Sequence, residues 1–281
     1  MKVFNEIEAC YGAVRDVQRR GGRVGLVPTM GALHEGHVSL IEAARRRSDS
    51  VAVTIFVNPT QFGPNEDFEK YPSDTEADLA ACEASGADIV FTPSVETLYP
   101  RGFETTIHVS GLTEGLCGAH RPGHFDGVTT IVAKLLNILP ADAAFFGEKD
   151  YQQLLVIRRM VRDLNLPVEI VACPIVREKD GLACSSRNRY LSPSERSQAA
   201  VLSRALFSAR DRIAAGHKRV KELVARIRAE ILAAGPAKID YVEIVDAETL
   251  DSLTEVDRPA RIVLAARIGP CRLIDNVAVK E

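Results

Sequence analysis

The sequence predicts an α/β protein: a Rossmann-like parallel-sheet domain followed by a smaller C-terminal α+β domain. Three observations point there. Short apolar, β-branched runs alternate with helical stretches through the first 176 residues. Those runs are apolar throughout, as strands buried on both faces are. Beyond them the order changes to two long helices and then three strands. The expected division is 1–176 and 177–281, with helices and a small antiparallel sheet in the second part closing over the site.

In chain order, residues 1–20 read as a helix with Ile7, Tyr11, Val14 and Val17 on one face. A strand at 23–27 leads through a glycine-containing turn into a helix at 36–47. Arg45, Arg46 and Arg47 suit the negative end of that helix. The run at 50–58 is a buried strand, stopped by an ordered loop of prolines and Gly63 over 58–65. A helix over 74–86, capped by Asp74 and closed by Gly86, precedes a strand at 87–91. Residues 92–127 are irregular, with a short strand at 106–109. A helix at 127–138, a strand at 142–146, a helix at 150–165 and a strand at 168–173 complete the first domain. In the second, Ser192 and Glu195 form a capping box. Helices at 193–215 and 217–233 and strands near 238–246, 261–267 and 271–275 follow it.

Composition narrows the function. The net charge of -3 gives no reason to expect nucleic acid or a membrane surface as partner. No run approaches the ~18 apolar residues of a membrane span. The six cysteines are scattered without a C-x-x-C pair, as reduced thiols in a cytoplasmic protein are.

The chemistry concentrates at strand ends, where open α/β sheets bind ligands. At the first, Met30, Gly31, Ala32, Leu33, His34, Glu35, Gly36 and His37 form a turn entering a helix. Glycines permit close backbone approach, and a helix N-terminus favours phosphate. His34 and His37, three apart, face the same way. The spacing is neither the dinucleotide fingerprint, nor a Walker A loop, nor H-E-x-x-H. It is the H-x-G-H of nucleotidylyltransferases and class I aminoacyl-tRNA synthetases. Asn58 and Gln61 stand at a second strand end, placed to hydrogen-bond a substrate. Gly147, Glu148, Lys149 and Asp150 stand at a third, with Gln153 on the following turn. Lys149 can reach phosphate as a point charge. Arg121 and His124 suit anions. Ser185, Ser186 and Arg187 bring hydroxyls and a guanidinium together. On the helix at 74–86, Glu76 and Asp78 are the acids that could reach magnesium.

Five motifs together resemble the pantothenate synthetase (pantoate–β-alanine ligase) family. They are Pro28-Thr29-Met30-Gly31 with His34-x-Gly36-His37, Phe56-Val57-Asn58-Pro59-x-Gln61-Phe62, Arg121-Pro122-Gly123-His124-Phe125-x-Gly127-Val128, Phe146-Gly147-Glu148-Lys149-Asp150-Tyr151-Gln152-Gln153, and Asp180-Gly181-Leu182-Ala183-x-Ser185-Ser186-Arg187-Asn188. They occur in the family's order. The resemblance implies an ATP-dependent ligase joining pantoate to β-alanine through a pantoyl-adenylate, with Mg2+, as a homodimer. It implies ATP contacts from Met30 through His37, from Gly147 through Asp150, at Val176, and from Cys184 through Arg187. It makes His37 the proton donor, and assigns Gln61 to pantoate and β-alanine and Gln153 to pantoate. Asp78 is the nearest candidate for the family's magnesium-binding acid. Cys184 departs from the pattern, which usually has Met or another apolar residue there.

Such a reaction needs no general base in its first step, because a carboxylate is already ionised at neutral pH. It needs cations and donors around the α-phosphorus, and His34, His37, Lys149 and Arg187 supply them. Two rival readings are a nucleotidylyltransferase that stops at the activated product and a nucleotide-binding regulator without turnover.

Overall fold

A computed structural model describes residues 1–64, 66 and 68–279. The chain divides into two compact units. The first comprises residues 1–114, 121–148 and 153–174; the second comprises 115–120, 149–152 and 175–281.

The first unit is a six-stranded parallel sheet. Its strands are β1 (Lys2–Phe4), β2 (Val24–Thr29), β3 (Ser50–Ile55), β4 (Ile89–Phe91), β5 (Ala143–Gly147) and β6 (Glu169–Cys173). Its helices are α1 (Ile7–Arg19), α2 (Glu35–Arg47), α3 (Thr75–Ala84), the single turn α4 (Val95–Leu98), α6 (His124–Ile138) and most of α7 (Tyr151–Asp163). The short helix α5 (Leu116–His120) belongs to the second unit.

The strand order is β1-β4-β3-β2-β5-β6. The chain builds outward from β2 in one direction, then returns to β2's other side with β5. The switch point therefore lies between the carboxyl ends of β2 and β5, where such sheets open a crevice for ligands. One sheet face carries Val27, Val51, Val53 and Phe145, packed with Leu40, Ile41 and Ala44 of α2 and Cys82 of α3. That alternation is the period-two pattern of a strand used on both faces.

Two expectations are corrected here. The first residues are not helical: Lys2–Phe4 pair in parallel with Ile89–Phe91, and α1 starts only at Ile7. A three-residue edge strand has no periodicity of its own to read. Residues 106–109 are not a strand either. The Ile107 N–H donates to Thr130 Oγ1 at 2.9 Å and its carbonyl accepts from Thr129 Oγ1, so side chains of α6 take the place of a ladder. The run at 50–58 ends as a strand at Ile55, and Pro59–Gln61 form a 3-10 turn. Asn65, at the end of the loop expected over 58–65, lies outside the described residues.

The second unit centres on an antiparallel meander, β7 (Lys238–Asp246), β8 (Ala260–Ile268) and β9 (Cys271–Val279). Helices α8 (Pro193–Ala214) and α9 (Val220–Ala233) cover one face, burying Leu202, Leu206, Ile227 and Ile231 against Ile244, Ile262 and Leu264. The opposite face holds Tyr241, Val245, Val263 and Ala265 with Leu116 of α5. Ser192 caps α8 through the Glu195 N–H, and the Glu195 carboxylate accepts from Ser192 N at 2.8 Å.

Candidate active site

The first unit's site begins where β2 ends. Gly31 and Ala32 both take left-handed backbone angles, φ 82° and φ 50°. A Cβ on Gly31 would sit 2.8 Å from Asp78 Oδ2. For Ala32 the conformation costs about 1–2 kcal/mol. Asp78, only 4 % exposed, holds it: its oxygens accept from Ala32 N at 2.9 Å and Leu33 N at 2.7 Å. Gly31 N donates to Thr29 Oγ1 at 3.2 Å. These three amides are spent on the protein itself, so the anion-seeking end of the motif is the start of α2.

There His34 is the N-cap, and its Nδ1 accepts from Gly36 N at 3.1 Å. His34 N in turn donates to His37 Nδ1 at 3.4 Å. A ring nitrogen that accepts a backbone N–H bears no proton, so each imidazole carries its proton on Nε2. The rings lie 4.1 Å apart at 31°. The arrangement presents two Nε2–H donors at the positive end of a helix.

Gln61 stands on the 3-10 turn after β3. Its Nε2 donates to Met30 Sδ at 2.9 Å, and its Oε1 accepts from Asn58 Nδ2 at 3.2 Å. Asn58, 1 % exposed, also donates to the Gly127 carbonyl at 3.1 Å and accepts from Tyr99 OH at 2.8 Å. The Gln61 carbonyl accepts from Arg121 Nη2 at 3.2 Å and from His124 Nδ1 at 2.8 Å. His124 is therefore protonated on Nδ1, the opposite tautomer to His34 and His37. Arg121 forks onto Glu66 through two 2.6 Å bonds. Burial alone would push the Glu66 carboxyl up; the Arg121 guanidinium outweighs it and holds the group below the usual carboxylate range. Gly147 and Glu148 occupy the carboxyl end of β5, the strand beside β2. Gln153 is half-buried on the first turn of α7.

In the second unit, Lys149 Nζ donates to the Cys184 carbonyl at 2.8 Å. Burial holds its ammonium below the usual lysine range; Asp150 and Asp275 oppose the shift and Arg187 adds to it. The Val176 carbonyl accepts from Cys184 N at 3.0 Å. Ser185 caps the 3-10 turn Ser186–Tyr190 by accepting from Arg187 N at 3.3 Å. Behind this loop Arg177 forks onto Asp275 at 2.7 and 2.9 Å, and Asn276 Nδ2 donates to the Lys149 carbonyl at 3.0 Å.

Similarity over the whole chain decides the family. A model of the family described as pantoate-beta-alanine ligase matches residues 2–278. The chain belongs to the pantoate–beta-alanine ligase family. It is 51% identical to a pantothenate synthetase of Acetivibrio thermocellus over all of both chains, and 52% identical to that of Moorella thermoacetica, covering all of this chain and 99% of that one. The crystal structure of the Thermus thermophilus pantothenate synthetase superposes with a TM-score of 0.95 at 48% identity, over the whole of both chains. The Francisella tularensis pantoate-beta-alanine ligase, complexed with beta-gamma ATP and beta-alanine, superposes at 0.81 with 34% identity, over 99% of this chain and 97% of that one. The parallel sheet with a small antiparallel domain is thus the ligase fold.

Sequence reasoning passed over three residues that hold candidate residues or their neighbours in place. Glu66 holds Arg121, Tyr99 holds Asn58, and Asp275 anchors Arg177. Only Asp275 left a signal, an acid inside an apolar strand run. Asp78, the candidate metal ligand, is engaged with the turn: each of its oxygens accepts a backbone N–H. No group of three or more His, Cys, Asp or Glu able to hold a metal occurs among the described residues.

Proposed function

We propose that the chain condenses pantoate with β-alanine at the cost of ATP, releasing pantothenate, AMP and pyrophosphate by way of a pantoyl-adenylate. The observation that carries the reading is the pair of Nε2–H imidazoles, His34 and His37, at the N-terminus of α2 beside the sheet's switch point.

In the first step a pantoate carboxylate oxygen attacks the α-phosphorus and the bond to pyrophosphate breaks. Nothing needs to be deprotonated. Negative charge grows on the departing oxygens, where fixed donors act most strongly. His37 donates from Nε2 to the transferring group, and His34 supports it. Lys149 and Arg187 offset charge on the phosphates. Met30 through His37, Gly147 through Asp150, Val176 and Cys184 through Arg187 are the nucleotide contacts. Magnesium would come with the nucleotide, since that ion takes mainly phosphate oxygens and water, and would offset phosphate charge.

In the second step the neutral amine of β-alanine attacks the acyl carbon of the mixed anhydride, and AMP leaves with the former anhydride oxygen. Gln61 and Gln153 orient pantoate, and Gln61 also meets β-alanine. None of these steps requires a covalent enzyme intermediate. Burial pushes the Cys10 and Cys82 thiols up to about 12, which leaves them non-nucleophilic. All six cysteines are buried, in keeping with a reducing, cytoplasmic setting. A homodimer is the expected assembly.

Incubation with ATP, pantoate and β-alanine tests the reaction: AMP and pyrophosphate must form only when both organic substrates are supplied. Pantoate labelled with 18O in its carboxylate tests the intermediate. One label must appear in AMP; unlabelled AMP rules the adenylate out.

A further inference from the structure

The second unit holds a cationic cavity that the ligase reaction does not use. It lies at the corner joining α8 to α9, has a volume of about 380 Å³, and is lined by Arg212, Gly216, His217, Lys218, Arg219, Glu222, Leu223 and Arg226. Four full cations and a histidine face one carboxylate there. That carboxylate, Glu222, meets Arg219 at 3.2 Å in an exposed pair, which is worth little in water.

The corner is built, not loose. Gly216 reverses the chain at φ 99°, with Gly216 N donating to Ile213 O at 2.9 Å and His217 N to Arg212 O at 3.0 Å. The next residues are pinned to the loop before β8. Val256 N donates to Lys218 O at 2.9 Å, Val220 N donates to Thr254 O at 3.2 Å, and the backbones of Arg219 and Glu255 pair in an isolated antiparallel β-bridge. Arg212 Nε is buried with no hydrogen-bond partner, a costly position for a guanidinium nitrogen. Helix α9 starts at this corner with no side-chain cap on its first turn, which adds the positive end of its dipole.

We infer that this cavity is a binding site for a compact polyphosphate anion, of the pyrophosphate or tripolyphosphate class. Arg212, Lys218, Arg219, Arg226 and the start of α9 line one concave wall. The volume exceeds what a single phosphate fills and lies within the small-ligand range of roughly 300–1,000 Å³. The lining offers one aliphatic side chain, Leu223, one imidazole, His217, and no Phe, Tyr or Trp. A dense anion fits that lining better than a nucleoside does.

The experiment uses the full chain and inorganic tripolyphosphate. Calorimetric titration of wild type is compared with the double variant Lys218→Gln/Arg226→Gln and with Arg212→Lys. Both substituted positions of the double variant are exposed, so its melting curve should match wild type. Arg212→Lys keeps the charge and removes the planar guanidinium fork that can grip two phosphate oxygens at once. Wild type should bind at two classes of site, one of them catalytic. Both variants should lose the second class at least tenfold while turnover at saturating substrates stays unchanged. The backbone amide resonances of residues 216–219 should shift on addition of the anion in wild type and not in the double variant. Superimposable isotherms for wild type and variants, or amides at 216–219 that do not move, overturn the assignment.

Discussion

The carboxylate of Asp78 accepts the backbone N–H of Ala32, 46 residues earlier in the chain, at 2.9 Å. Its other oxygen takes the adjoining N–H of Leu33 at 2.7 Å. One acid thereby holds the left-handed turn that delivers His34 and His37.

Asp78→Asn replaces one of those acceptors with an NH2 group facing an amide. Leaving a buried donor unsatisfied costs about 1–3 kcal/mol. The variant should melt earlier and show a raised KM for ATP, while the magnesium concentration giving half-maximal rate stays where it is. A large shift in that magnesium dependence would return Asp78 to the metal.

His37→Ala should slow formation of the adenylate about a hundredfold or more, the usual loss of one donor to a developing charge. Attack of β-alanine on preformed adenylate should suffer less, because pyrophosphate has already left. Rapid-quench assays of each half-reaction measure the split, and equal losses in both would make His37 a capping residue only.

Gly127→Ala should act on substrate binding through backbone alone. A Cβ there would fall inside the Thr60 carbonyl and 2.7 Å from Gln61 N. Helix α6 and the 3-10 turn must move apart, at about 1–3 kcal/mol of overpacking. The KM for pantoate should rise several-fold while ATP binding, measured by titration, is retained.

Glu66→Gln probes the fork to Arg121. The Glu66 carboxyl titrates lower folded than unfolded, so its stabilisation is complete above the ordinary glutamate pKa of about 4.3 and is lost as pH falls through the folded value. Melting temperatures of wild type and variant should differ at pH 7 and converge in the acid range below about pH 4. A difference that persists unchanged down to about pH 3 would remove the ion pair from the explanation.

Lys149 gives the opposite sign. Its ammonium titrates below the usual lysine value in the free protein, and a bound phosphate would raise it again. ATP binding at alkaline pH should therefore take up a proton. Titrations in buffers of different ionisation enthalpy would measure that uptake, and Lys149→Met should abolish it.

Most of the first unit was legible because a parallel sheet writes itself as apolar runs: Val24 to Val27 and Ser50 to Ile55 have no other reading at that length. Edge strand β1 was not legible, since its hydrogen bonds are supplied by Ile89–Phe91, far along the chain. The segment at 106–109 misled because Thr-Ile-His-Val carries strand propensity while Thr129 and Thr130 of α6 hold its backbone instead. At the site, residue types at strand ends could be read from the sequence, but their partners could not. Asp78 looks like any acid in a first helical turn, and only the fold places Ala32 and Leu33 against it.

The clamp on Lys149 has a consequence for synthesis on the ribosome. Lys149 is translated more than a hundred residues before Asn276, whose side chain holds the Lys149 carbonyl, and before Asp275, which anchors Arg177. At 5–20 residues per second, that delay is roughly 6–25 seconds. The nascent chain thus carries the lysine through most of translation without the β9 residues that position it. Phosphate affinity at Lys149 should switch on late, with the emergence of the last strand. Stalled nascent chains ending before Cys271 would hold a folded parallel sheet and an unassembled lysine cradle.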